Sequence, residues 1–346
     1  MKEVLSHYPF IKAYRDGKIS RRQFLDDLSL FREQLLEVIS KKEFVSLKSE
    51  VPQKFDSFDN VKHLLSRIAL IPQRPFYTVS ELKSLGKADK ENICICDFYV
   101  KDCEKGTLKP WGFIFKHIVI IDHHAPVNQF TKRVSSTNLA ILYVRSHGPV
   151  PHVFINHTDC DSVLSSLIMI GILPPLDIFG YAAIAADHTG EENLIADLLQ
   201  SLDDSRDLNF SVKNLFRVLH GRHPSLKASM LIQKRYRSRR KIRRLVYDGK
   251  FLWHGKVAYI VLKKKIEGEL VTALIPHAKA ICLASRMSNG KWEVKVRLGL
   301  KADGNLNLLG LPNFGGRWNA GSTKRSGGTN ISPEEYAKIV DSRLGL

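Results

Sequence analysis

Four apolar runs in the middle of the chain each stop at acidic side chains: ICIC at Asp97, IVII at Asp122, VFIN at a turn holding His157, Asp159 and Asp161, and AAIAA at Asp187. Short runs of this kind, alternating with helical stretches, are the pattern of a parallel sheet covered by helices. Its strands are buried on both faces and so read as continuous hydrophobic stretches. In open sheets of this type the strand ends gather along one edge, where ligand sites are built. Acids at four such ends therefore predict one carboxylate-lined site.

NICICDFYV, HIVIID, LAILYVRS and HVFIN read as strands, and SVLSSLIMIGIL and ENLIADLLQSL as helices. The expected fold class is α/β: a parallel-sheet domain over residues 51–204 with helices on both faces. Residues 1–50 read as a helical extension, with Ser20 as N-cap and Phe24, Leu28, Phe31 and Leu35 at helical spacing. Residues 205–248 read as a basic helical connector. A smaller α/β domain over 249–346 follows, with strands in VAYIVLKKK, AKAICLASRM and WEVKVRLGL and a last helix from Ser332. Leu167 to Ala186 is broken by Pro174, Pro175 and Asp177, so it reads as two buried helices rather than a membrane span. The charged amino terminus has no apolar signal core, and five cysteines of irregular spacing suit buried thiols in a reducing compartment. A cytoplasmic protein with no membrane partner is expected; a homodimer is left open.

Lys and Arg number 53 against 35 acids, a formal charge of +18, which favours polyanionic partners. Leu208 to Tyr247 holds twelve Lys or Arg and no acid. Such a run repels itself unless an anion neutralises it. Either it is a solvated helix face, or Arg235, Arg237, Arg239, Arg240, Arg243 and Arg244 contact a nucleic-acid backbone.

Asp122-His123-His124 and His157-x-Asp159-x-Asp161 supply mixed imidazole and carboxylate donors, which suit two Mn2+ or Mg2+ ions better than zinc. Asp159 or Asp161 could alternatively do no more than cap the helix that begins near Ser162. Two ions about 3.5–4 Å apart activate water and stabilise in-line displacement at phosphorus, so the donors point to phosphoryl or phosphodiester hydrolysis.

The DHH triplet after an apolar strand, His-x-Asp-x-Asp-Ser at 157–162 and Asp-x-Thr-Gly at 187–190 resemble the motifs of the DHH phosphoesterases. That family includes RecJ-type exonucleases, nanoRNases, cyclic-dinucleotide phosphodiesterases and family II pyrophosphatases. Phe314 to Thr329, FGGRWNAGSTKRSGGT, is similar to the glycine-rich signature of the DHH-associated substrate domain. The resemblance covers roughly residues 90–345. It implies metal ligands at Asp97, Asp122, His123, His157, Asp159, Asp161 and Asp187, and catalytic roles for Asp122, His123, His124 and Asp161. It further implies substrate contacts from His124, Arg297, Gly315, Gly316, Arg317, Asn319 and Gly321. The implied activity is two-metal, Mn-dependent hydrolysis of nucleic-acid ends or short oligonucleotides, with Tyr236, Trp292 and Trp318 as candidate base-stacking residues. Hydrolysis of a cyclic dinucleotide or small phosphoanhydride, and a lapsed enzyme that only binds nucleic acid, are the alternatives.

Two departures stand out. The Asp-x-Asp motif follows DHH instead of preceding it, so either the motif order is permuted or the first motif is lost and Asp161 belongs to an ordinary helix. Arg317 stands where the usual signature has histidine.

Overall fold

The computed structural model describes residues 58–84, 93–101, 103–115, 118–124, 134–302 and 304–345. The helical extension expected at 1–50, Ser20 included, lies outside the described residues.

The apolar runs form the sheet they imply. Strands β1 (Ile68–Leu70), β2 (Ile93–Cys96), β3 (Thr107–Lys109), β4 (Gly112–Phe115), β5 (Ile118–Ile121) and β6 (Val153–Ile155) lie in the order β1-β6-β2-β5-β4-β3. The first four in that order run parallel, and β4 and β3 close one edge antiparallel. All of ICIC and VFI is buried. Strand β6, last in sequence, lies between β1 and β2, with Val153 opposite both Ile68 and Cys94. The ends of β2, β5 and β6 therefore place Asp97, the 122–124 triplet and the HTDCD turn on the same edge. All five cysteines are buried free thiols.

Helices α1 (Phe58–Val61) and α2 (Val79–Ser84) precede β2. The stretch LAILYVRS is not a strand. It lies in helix α3 (Ser136–His147), started by a capping box: Ser135 Oγ accepts from the Asn138 amide, and the Ser135 amide donates to Asn138 Oδ1 at 3.0 Å. Reciprocal satisfaction of two end donors outweighs the β-propensity of Ile141, Tyr143 and Val144. Helices α4 (Cys160–Met169) and α5 (Asp177–Ile184) are the buried pair expected on either side of the two prolines. The run AAIAA is likewise helical: α5 widens into a π turn, Ala185–Thr189, that carries Asp187 and ends at left-handed Gly190. The fourth acid thus reaches the strand edge from a helix end. Such π turns are frequent at functional sites.

Helices α6 (Leu194–Leu202), α7 (Leu208–Leu219) and α8 (Leu226–Tyr247) follow. The acid-free run is neutralised from outside itself. Ala228, Ile232, Arg235, Arg239 and Ile242 recur at helical spacing on the buried face of α8, and Arg235 and Arg239 are only 4% and 3% exposed. Asp197 of α6 accepts from Arg235 Nε at 2.9 Å and from Arg239 Nη1 and Nη2 at 2.6 and 2.8 Å. Arg235 also pairs with Glu267, and Arg243 with Glu192. Arg235 and Arg239 are structural ion-pair partners, which removes them from the expected nucleic-acid contacts. Arg237, Arg243 and Arg244 are exposed and Arg240 half-buried.

A second sheet is built from β7 (Leu252–His254), β8 (Val257–Val261), β9 (Ala280–Arg286), β10 (Trp292–Leu298), β11 (Gly315–Arg317) and β12 (Ala320–Ser322), in the order β11-β12-β10-β9-β8-β7. Helix α9 (Glu269–Thr272) and Ile242 of α8 share one of its cores, and helix α10 (Pro333–Leu344), capped by Ser332, closes the other. No helix among the described residues is long and apolar enough to cross a membrane.

Candidate metal centre

Strand β2 hands over to Asp97, whose backbone is left-handed at φ 61° and whose amide is tied to the Ile121 carbonyl at 3.0 Å. A non-glycine residue there is strained and persists where its surroundings hold it. Its carboxylate accepts from Ser136 Oγ at 2.9 Å and Ser162 Oγ at 2.7 Å, so the first turns of α3 and α4 aim it.

Strand β5 delivers the triplet. His123 is fully buried, and its Nε2 faces Asp97 Oδ1 at 3.6 Å, Asp161 Oδ2 at 3.5 Å and Asp187 Oδ2 at 3.4 Å. Asp122 orients its neighbour, accepting from His124 Nδ1 at 2.7 Å. Asp122 Oδ2 and His123 Nδ1 are buried with no hydrogen-bond partner.

In the HTDCD turn the acids divide. Asp159 caps α4, accepting from the Ser162 amide at 3.0 Å. Asp161 accepts from the Ser136 and Thr137 amides at 2.8 and 2.7 Å and from Thr137 Oγ1 at 2.6 Å, which stations a carboxylate at the amino end of α3. Its Oδ2 still faces His123. Among the described residues, donors within 4.8 Å of one another form two groups, Asp97 with His123 and His124, and His123 with Asp187 and His188. His157, Asp159 and Asp161 belong to neither, but Asp161 Oδ2 lies 3.5 Å from the His123 Nε2 that both groups share. The turn is anchored instead to Asp203, which accepts from the Thr158 amide at 3.1 Å and which the sequence reading passed over.

The electrostatics are those of acids crowded out of water. Burial pushes the Asp97 carboxyl well above the usual carboxylate range, helped by the charges of Asp161, Asp159 and Asp187. Burial also raises Asp161, against the pull of His123. For Asp187 burial acts upward too, but the Arg317 guanidinium and His123 outweigh it and hold that acid well below its ordinary value. Repelling buried carboxylates around an imidazole, with orphaned polar atoms beside them, fit a hard divalent cation. Asp97, His123, Asp161 and Asp187 are the residues that would hold it.

The second sheet reaches into this centre. Arg317, at the end of β11, places Nη1 at 2.7 Å from Asp187 Oδ2, 3.2 Å from His124 Nε2 and 3.4 Å from His123 Nε2. Arg297 donates to the Asp187 carbonyl at 3.0 Å and to Glu269 at 3.1 Å. The docking is close: a Cβ on Gly190 would stand 1.9 Å from the Glu269 carbonyl oxygen. Asn319 Nδ2 lies 2.6 Å from His188 Nδ1, and His188 Nε2 lies 3.1 Å from the Val134 carbonyl. A Cβ on Gly316 would meet Gly321 at 2.3 Å, so these two glycines let β11 and β12 approach. Gly315 opposes Ser322 in the same pairing. The expected stacking residues are engaged within the fold: Trp318 is buried against His188, Trp292 lies under Arg286, and Tyr236 packs on the first core.

No protein-family model matches the chain, and no curated protein matches it. Among solved structures it is similar to a pGpG-specific phosphodiesterase, PggH, from Vibrio cholerae, at 14% identity and a TM-score of 0.37, over 84% of this chain and 96% of that one. It is also similar to an exopolyphosphatase-related protein from Bacteroides fragilis, at 13% identity and a TM-score of 0.35, over 77% and 74% of the two chains. A third is RecJ from Thermus thermophilus in complex with Mn2+, at 14% identity and a TM-score of 0.35, over 83% of this chain and 46% of that one. Of the residues in the 97–187 motifs, Asp97, His123, His124, Asp161 and Asp187 are brought together by the fold, and His157 and Asp159 are not.

Proposed function

We propose that this protein is a divalent-metal-dependent phosphodiesterase that hydrolyses nucleic-acid ends or short oligonucleotides. The observation that carries it is the convergence of Asp97, Asp161 and Asp187, from three separate segments, on His123 Nε2. In this reading residues 51–204 form the catalytic domain and 249–346 the substrate-binding domain. The same reading takes the motif order as permuted, which is supported by the HTDCD strand coming late in sequence yet standing beside β2.

A Mn2+ or Mg2+ ion held there would supply an activated water and neutralise charge on the phosphate. The chain's own residues do the rest. His124, fixed through Nδ1 by Asp122, presents Nε2 toward the site, and burial pushes its imidazole below the usual range, so it stands neutral with Nε2 as the acceptor nitrogen. Arg317 adds a fixed positive charge for a phosphate oxygen. Asn319 steadies His188 beside them.

The polymer class rests on the outer face of α8. Lys234, Arg237, Lys241 and Arg244 form an exposed stripe with no acid in it, and Tyr247, 92% exposed, follows one turn beyond Arg244. A file of cations ending in an open aromatic ring suits a single strand with unstacked bases. Glu192, which holds Arg243, is five residues from Asp187, at most about 18 Å of chain, so a strand end in the site can continue onto this face.

The test is purified protein with Mn2+ offered end-labelled DNA and RNA of graded length, linear and cyclic dinucleotides and a chromogenic phosphodiester. Shortening of labelled strands that stops in an Asp187→Asn variant is the expected result. Failure to cleave any phosphodiester would refute the proposal.

A further inference from the structure

We infer that this protein holds a single divalent cation in its centre and uses the Arg317 guanidinium as the second cation; the inference rests on the metal-centre reading above. Arg317 Nη1 lies within 3.4 Å of three donors, Asp187 Oδ2 and the Nε2 atoms of His123 and His124. A positive group so placed excludes a metal ion from that position, because like charges about 3 Å apart in a water-poor site repel strongly. The guanidinium is built in rather than loosely draped. Its side chain is largely buried, its Nη2 donates to the Asp187 carbonyl at 3.2 Å, and Arg297 donates to the same oxygen at 3.0 Å. Arg297 is anchored on Glu269, and Glu269 lies 3.6 Å from Arg235, so the arrangement is braced back to α8.

The donors left over make one site, with His123 Nε2 among them because at 3.4 Å it is the longest of the three Arg317 contacts. His188, the next nitrogen ligand in reach, has both ring nitrogens engaged, by Asn319 and by the Val134 carbonyl. Asp159 caps α4, and of His157 and Asp161, both outside the two donor groups, Asp161 is the one that faces His123 Nε2, at 3.5 Å. What remains around His123 Nε2 is Asp97, Asp161 and the shared edge of Asp187. An arginine brought in by the second sheet also makes the centre complete only when that sheet is docked on the Asp187 turn.

The measurement is Mn2+ uptake by chelator-stripped protein, read by native mass spectrometry and by the resonance signal of free Mn2+, with no substrate present. One ion per chain is expected. Arg317→Gln, which frees Asp187 and His124, should take up two, and Arg317→Lys, which keeps a cation there, should remain at one. A thermal melt of each variant confirms that it is folded. Two ions in the unmodified protein, or one in Arg317→Gln, would overturn the inference while leaving the metal-dependent phosphodiesterase intact. No ion in any of the three would overturn both.

Discussion

Replacing Asp197 with alanine tests whether the basic run has the two faces described. This one carboxylate accepts three short N–H bonds from Arg235 and Arg239, both almost wholly buried. Without it, Arg239 keeps, among the described residues, the Glu191 carbonyl at 3.4 Å, and Arg235 leans on Glu267 and Glu269. Removing one member of a buried ion pair costs about 3–5 kcal/mol, because it strands the other charge away from water. At roughly 1–2 °C per kcal/mol for a chain of 346 residues, the melt should fall by about 5 °C. Arg237→Ala, two residues before Arg239 in sequence but on the outer face, should move stability by no more than about 0.5 kcal/mol. Urea unfolding of the two variants beside the parent is the assay. An Asp197→Leu, Arg235→Met, Arg239→Met triple variant should recover much of the loss, since apolar groups of similar volume replace buried ion pairs without stranding a charge. If Asp197→Ala unfolds at the parent's midpoint while Arg237→Ala is strongly destabilised, the assignment of inner and outer faces is wrong.

Other outcomes follow from the same geometry. Replacing Lys234, Arg237, Lys241 and Arg244 together with glutamine should weaken single-stranded DNA binding in chelator and reduce the magnitude of the log-affinity against log-salt slope by about 3, at about 0.7 per phosphate; an unchanged slope would clear that face of any role. Tyr247→Ala should weaken the same binding roughly tenfold with little change in slope, the signature of a lost stacking partner. Mn2+ at a hundredfold excess over its dissociation constant should stabilise the stripped protein by about 2.7 kcal/mol, read as a rise of about 4 °C in the melt. Asp97 and Asp161 are pushed upward in the folded state, so the ion-free protein binds more protons than its unfolded chain and loses stability as pH rises from the ordinary carboxylate range through the raised one. The Mn2+ gain should therefore widen over that window, and a gain that narrows instead would contradict the assigned charges. Gly190→Ala puts a Cβ against the Glu269 carbonyl at a backbone φ of 68°, and should lower both the melt and strand cleavage by loosening the second sheet from the Asp187 turn.

Local pattern along the chain accounts for one part of this arrangement. Continuous apolar runs can only be strands or helices buried on all sides, so the strands before Asp97, Asp122 and His157 were legible, and parallel pairing then put their ends on one edge. Ser332 followed by proline marked the last helix in the same local way. The family motifs are local strings too. Tertiary structure decided the rest, because it turns on which distant group meets which. LAILYVRS became a helix through a cap its apolar letters do not show. Arg235 and Arg239 turned inward because Asp197, about forty residues away, waits beneath them. Within one five-residue turn Asp161 joined the centre and Asp159 did not, since one side chain meets the amides of α3 and the other its own helix. Arg317 reaches Asp187 across 130 residues only because Gly190 lets two backbones touch. Spacing along a chain predicts which side chains share a face, whereas neutralising a buried charge is settled by whatever partner the completed fold brings within about 3 Å of it.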